Sequence, residues 1–147
     1  MTKTKRLLWI NSCYLETIAY REELVSAGYE LDGVDCGFLG LEKLDETYDA
    51  VFLNPYFLTW CKQDNPPSGV DIGNSLDLGL WFYDQVRSGK NKLTHLYLTP
   101  IIMNRDSEIR KRIEDHIKGD NAPHQLINLS DELPSDLIRI VQATLKN

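Results

Sequence analysis

No stretch of this sequence stays apolar for the roughly 18 to 20 residues that crossing a bilayer takes, so nothing in it reads as a membrane helix. Residues 1–5 are basic, but no apolar segment with a small-residue cleavage pattern follows them. The expected location is the cytoplasm, with no membrane partner. An excess of positive charge is also lacking: Lys and Arg total 16 against 22 Asp and Glu, a formal charge of −6. Such a chain repels nucleic acid unless its basic groups are gathered on one face. The nearest cluster, residues 110–112, is interleaved with Glu108, Glu114 and Asp115 in the manner of a solvated helix face. No nucleic-acid partner is expected.

Cysteine is scarce and unpatterned. Cys13, Cys36 and Cys61 form no C-x-x-C, and an odd count without framework spacing predicts reduced thiols in a reducing compartment. Cys13 and Cys61 fall on one rim of the fold expected below, so a redox pair there stands as the alternative to two unrelated thiols. His95, His116 and His124 lack ligand spacing, and no metal or cofactor is expected. The glycines at 69 and 73 do not carry a strand into a helix, as a phosphate-cradling loop must. Neither an internal repeat nor a second domain is visible.

What is present is a globular composition in 147 residues, 42% hydrophobic and 26% charged, enough for one domain with a core. RLLWI (6–10) and AVFL (50–53) are short continuous apolar runs, as expected of strands buried on both faces. Residues 30–36 alternate loosely and predict a more exposed strand. Residues 93–98 and 125–129 predict two more. Helices are expected at 15–27 (apolar Leu15, Ile18, Ala19, Leu24 and Val25, closed by Gly28), around 38–44, over 78–86, through Ile109, Ile113 and Ile117, and from Pro134 onward. Trp9 and Trp81 are expected in the core. The polar stretch 59–75, with Pro66-Pro67-Ser68-Gly69, has neither period and is expected to be a loop of unusual length. Five strand–helix alternations specify a parallel sheet with helices on both faces and right-handed crossovers.

The order and length of these units resemble the receiver domain of two-component response regulators, a flavodoxin-like α/β fold with strand order 2-1-3-4-5. The likeness is carried by YDAVFLNP (48–55), where a receiver has an apolar strand ending in its phospho-accepting Asp, by LYLTP (96–100) at the fourth strand, by GLWFYDQVR (79–87) at the third helix and by LPSDLIRIV (133–141) at the fifth. It covers the chain except for residues 56–77, expected as an insertion between the third strand and third helix of a single receiver-like domain.

The resemblance implies a rim formed by Asn11, Ser12, Asn54, Thr99 and Ser130. Receivers hold Mg²⁺ there with two acids after the first strand and the acceptor Asp, and bind phosphoryl oxygens with Thr or Ser and a Lys. Only the Thr is kept. Mg²⁺ is usually held by carboxylates, an amide is far too weak a nucleophile to attack phosphorus, and Ser130 supplies no cation. The expected function is therefore a degenerate receiver, a signalling module of phosphorelay type that works independently of phosphorylation and binds a protein partner, with a homodimer as one form. It is not expected to be an enzyme. Tyr56 and Trp60 in the insertion are the expected partner-binding residues, Trp60 as an exposed anchor. Two other readings remain: phosphotransfer through an acid of the insertion, Asp64, Asp71 or Asp77, or a flavodoxin-like ligand-binding or catalytic domain. For the latter, no Ser-His-Asp, Cys-His or paired-carboxylate set can be assembled at the rim, and Cys13 is the one reactive candidate, with nothing but a helix N-terminus to lower its pKa.

Overall fold

The structure, a computed structural model, describes residues 3–62, 66–102 and 106–145. Its strands are β1 (Arg6–Ile10), β2 (Glu30–Val34), β3 (Ala50–Leu53), β4 (His95–Leu98) and β5 (His124–Leu126). Its helices are α1 (Ile18–Ser26), α2 (Gly37–Lys43), α3 (Ser75–Ser88), α4 (Ser107–Ile117) and α5 (Pro134–Thr144). Every strand pairing is parallel, in the order β2-β1-β3-β4-β5. That order follows from burial: AVFL is buried at every position, RLLWI at every position after Arg6, and both must lie inside the sheet. The half-exposed β2 and β5 take the edges.

Alternate residues feed opposite faces. Leu8, Ile10, Val51, Leu53, Leu96 and Leu98 pack with Phe82, Val86, Ile113 and Ile117, drawn from α3 and α4. Leu7, Trp9, Ala50, Phe52 and Tyr97 pack with Leu24, Leu137 and Val141, drawn from α1 and α5. In this second layer Trp9, Phe52 and Tyr97 are register partners on adjacent strands, and their rings stack with centroids 5.2 and 4.6 Å apart. The Tyr97 hydroxyl bonds Thr144 at the end of α5, and burial pushes its pKa up to about 12.

Several boundaries differ from the periodicity. The first helix begins at Ile18, not residue 15; Leu15 (79% exposed) and Ile18 (46%) do not face the core, and Leu24 alone is buried from α1. Strands β2 and β5 are shorter than expected, ending at Val34 and Leu126. Helix α3 begins three residues early, because the Asn74 side chain caps it by accepting from the N–H groups of Leu76 and Asp77. Trp9 is fully buried as expected, while Trp81 is half-buried.

At the other end of the sheet α3 is tied down by a polar cluster. Arg87 Nε meets Asp120 Oδ2 at 2.9 Å, with the side chains only 12% and 9% exposed, and Tyr83 donates its hydroxyl to the same carboxylate. Burial alone would raise the Asp120 pKa, but the bonds from Tyr83, Ala122 N–H and Arg87 outweigh it and hold the group below its ordinary value. Asp120→Asn is expected to cost about 2–3 kcal/mol at neutral pH, since it removes the counter-charge of a largely buried guanidinium whose other bonds go to the carbonyls of Lys92, Thr94 and Pro123. A depressed carboxyl contributes its stability above the unfolded pKa and loses it as pH falls through the folded one. The gap between wild type and variant should therefore be full at pH 7 and narrow below about pH 4, as urea unfolding at both pH values would measure.

Candidate functional site

The C-terminal tips of parallel strands form the crevice where such folds place their sites. Three tip residues extend the sheet ladder by one bond each: Asn11 N–H donates to Val34, Asn54 N–H to Ile10 and Thr99 N–H to Leu53. This brings Asn11, Asn54 and Thr99 side by side at 0%, 1% and 1% exposure. Each asparagine closes its strand with an Asx turn, Asn11 Oδ1 accepting from Cys13 N–H at 2.7 Å and Asn54 Oδ1 from Tyr56 N–H at 3.0 Å. Those backbone donors fix which way round each amide lies. The remaining Asn54 Nδ2 donates to Asn11 Oδ1 at 3.1 Å. Asn11 Nδ2 and Thr99 Oγ1 are buried without a hydrogen-bond partner among the described residues.

These donors do not fit a divalent cation. None of the five expected rim positions carries a carboxylate, and the two amide oxygens are already committed to N–H donors. The Asn54-to-Asn11 bond joins what two carboxylates would force apart. Among the described residues, no group of three or more His, Cys, Asp or Glu side chains is gathered for a metal ion.

The chain after β3 folds back over these tips. Pro55 and Leu58 are buried. Thr59 N–H donates to Ser12 Oγ at 2.9 Å, the two hydroxyls lie 3.1 Å apart, and the Thr59 carbonyl accepts from Gly37 N–H at 2.7 Å. Thr59 thus ties the end of β1 to the start of α2. Ser12→Ala removes the acceptor at this tie. Because Thr59 is exposed and water can replace the bond, the expected loss is about 1 kcal/mol, measured by urea unfolding, with faster hydrogen exchange at the Thr59 amide.

Two expectations for this segment are corrected. Trp60 is not an exposed anchor: it is 9% exposed, edge-on to Phe38 and Trp81, and lies over Gly37, where a Cβ would come within 3.1 Å of its ring. The exposed aromatic is Phe57, at 50% exposure, stacked on half-buried Tyr56 and held at φ 66°. A bulky residue with positive φ is costly and rare, a feature invisible in the sequence. Nor are all the cysteines free: Cys36 and Cys61 form a disulfide with Cα atoms 5.9 Å apart. The expectation of reduced thiols throughout is thus corrected, the alternative Cys13–Cys61 pair is absent as well, and Cys13 is the free thiol. The partner of Cys61 comes from the β2–α2 turn, which no short spacing reveals.

Ser130 does not end β5. It lies in a 3-10 turn, Leu129–Asp131, and donates to the Ile102 carbonyl at 2.7 Å. The residue that organises this corner is Asn128, whose Oδ1 accepts from Ile102 N–H and whose Nδ2 donates to the Ile102 carbonyl, both at 2.8 Å. As the first polar residue after Leu126-Ile127, it could have been singled out from the sequence.

Two of the three acids named as substitute acceptors are engaged elsewhere. Asp77 pairs with Arg112 of α4 at 2.9 Å, and Asp71 accepts from Gly73 N–H at 2.9 Å. Asp64 lies outside the described residues. Cys13 precedes the start of α1 by five residues, so no helix N-terminus activates it; burial first, then Glu16, pushes its thiol pKa up.

No family model matches the sequence, and no curated protein matches it. Solved structures do match in fold. The chain is similar to the receiver domain of a sensor histidine kinase of Pseudomonas aeruginosa with a magnesium ion coordinated in its active-site cleft, at 14% identity and TM-score 0.66, over 99% of this chain and 100% of that one. It is similar to a CheY-like response regulator receiver domain of Methanospirillum hungatei, at 14% identity and TM-score 0.67, over 97% and 94%. A third similarity is to a response regulator of Thermotoga maritima in complex with Mg²⁺ and a beryllium fluoride, at 20% identity and TM-score 0.59, over 97% and 99%. The fold is thus the CheY-like, flavodoxin-type arrangement of receiver domains.

Proposed function

We propose that this chain is a pseudo-receiver: a single receiver-like domain, with an insertion after β3, that signals through protein contacts without accepting a phosphoryl group. The observation that carries the reading is the buried bond from Asn54 Nδ2 to Asn11 Oδ1. A phospho-accepting site needs an anionic oxygen at the β3 tip, a metal between that tip and β1, and an open approach. Here the two tips bond each other directly, both are buried, and the insertion lies across them. Neutral rim residues also dispense with the repulsion among clustered acids that a bound metal would otherwise relieve.

Output then comes from shape. Exposed Phe57, stacked on half-buried Tyr56, is the proposed contact for a protein partner, replacing Trp60 in that role, since aromatic residues anchor interfaces well. The face of α4, β5 and α5 is the proposed surface for a homodimer. Among the described residues no helix is long and apolar enough to cross a membrane, in keeping with a proposed place in the cytoplasm.

The test is incubation with Mg²⁺ and a small phosphodonor, followed by intact mass. No gain of a phosphoryl mass is expected, and Mg²⁺ with beryllium fluoride should leave the melting temperature unchanged, since only a ligand of the native state shifts it. A phosphoryl adduct on any residue would overturn the reading.

A further inference from the structure

The cover over the strand tips is held by contacts of two kinds. Non-covalent ones gather at Thr59, between Ser12 Oγ and Gly37 N–H, and at Trp60, seated on Gly37 between Phe38 and Trp81. The covalent one is Cys36–Cys61, which fastens the far end of the same seven-residue run from Pro55 to Cys61 to the first turn of α2. Cys36 is 2% exposed, while Cys61 is exposed. A dithiol can therefore reach one sulfur of the pair from solvent.

We propose that Cys36–Cys61 is a redox latch, and that its reduction releases the cover and opens the crevice floored by Asn11, Asn54 and Thr99. The regulation rests on the proposed reading of the insertion as the partner-binding segment, but the opening is measurable whether or not that reading holds. The co-reactant is a dithiol reductant. Its thiolate attacks Cys61 Sγ, the Sγ–Sγ bond breaks, and Cys36 leaves as a thiolate that takes up a proton. The second thiol of the reductant then displaces Cys61, so the protein gains two electrons and two protons while the reductant closes its own disulfide. In a reducing compartment a bond of this kind is a transient, sensing one, unlike the permanent staples of secreted domains.

The position of the latch gives it leverage. Cys61 lies two residues from Thr59 and seven from Asn54. With the bond in place, Trp60 and Thr59 are confined near α2. Without it, buried Leu58 still anchors the middle of the run, while the contacts described at its far end include two hydrogen bonds to exposed Thr59, a third hydroxyl contact, the packing of Trp60 and Lys62 Nζ over the Phe38 ring.

The experiment uses the full chain carrying Cys13→Ser, whose backbone bond to Thr17 is untouched by the change. After mild oxidation, alkylation and intact mass should count no free thiol, and after dithiothreitol, two. Hydrogen exchange in peptides spanning 55–62 should become at least tenfold faster on reduction while β1 and β3 stay unchanged. A further Cys36→Ser, Cys61→Ser variant should match the reduced protein and ignore the reductant. Thiols that remain alkylatable after oxidation, equal exchange in both states, acceleration spread evenly over the sheet, or a reductant response in the cysteine-free variant would each overturn the latch. A phosphoryl adduct found separately would sink the pseudo-receiver reading and leave these results standing.

Discussion

Replacing Gly79 with alanine is expected to destabilise the chain by about 3 kcal/mol, against the usual sign of that change. Inside a helix, Gly→Ala normally gains about 1 kcal/mol through backbone entropy and propensity. Gly79 is the fifth residue of α3, and there the helix rests directly on the turn that leaves β3. A Cβ at this position would fall 2.6 Å from Pro55 Cα and nearer still to the Pro55 carbonyl. Overpacking typically costs about 1–3 kcal/mol, and here the obstacle is backbone, which cannot rotate aside. The melting temperature should drop by roughly 6–12 °C at this size. Gly119→Ala is the matched control: nothing lies within 4 Å of its added Cβ, and the expected effect is within about 0.5 kcal/mol. Urea unfolding of both variants decides it. A neutral Gly79→Ala would mean that α3 does not press on Pro55, and the covered geometry at Asn54 would lose its support.

Gly79 also illustrates what was legible in the sequence. Its place at the head of GLWFYDQVR carried part of the receiver resemblance, and the structure supplies the reason a side chain is excluded. The interior strands were readable because four consecutive apolar residues leave no solvated face to choose. The joint placement of Asn54 and Thr99 at strand ends followed directly. Other features depend on distant partners and leave no periodic trace. Leu15 and Ile18 carry a helical spacing yet face solvent, because the chain needs residues 11–17 to turn out of the sheet before α1 can start. Trp60 looks exposed in a polar stretch, but Gly37, the first residue of α2, makes room for its ring. Cys36 and Cys61 are 25 residues apart, and only the return of the chain over the rim makes them neighbours. Ser130 and Asn128 are two residues apart, so a boundary error in β5 of ordinary size exchanged their roles.

Asn54→Asp puts the central electrostatic claim to its hardest test, with an expected loss of about 3 kcal/mol at pH 7. The new side chain keeps one oxygen for Tyr56 N–H but replaces the Nδ2 donor with a second oxygen, 3.1 Å from Asn11 Oδ1. Two acceptors would then face each other at a position 1% exposed. Turning the Asn11 amide around could present its unpartnered Nδ2 instead, but would withdraw the oxygen that Cys13 N–H needs. Burial and the facing oxygen both disfavour the ionised form, so the folded pKa of the new carboxyl should rise above its unfolded value of about 3.9. A raised acid pKa means the penalty is absent below the unfolded pKa, grows as pH climbs toward the folded one and is constant above it. The variant should therefore approach wild type near pH 3 and fall furthest behind it at neutral pH, the opposite trend from an acid held by a cation. Millimolar Mg²⁺ should leave the deficit at pH 7 in place, because Asn11 and Ser12 bring no charge to share the metal. Recovery of the lost stability by Mg²⁺, read as a rise in urea midpoint that saturates with metal, would show that the rim is still poised as an ion site and would refute its reading as a neutral corner whose two asparagines bond each other.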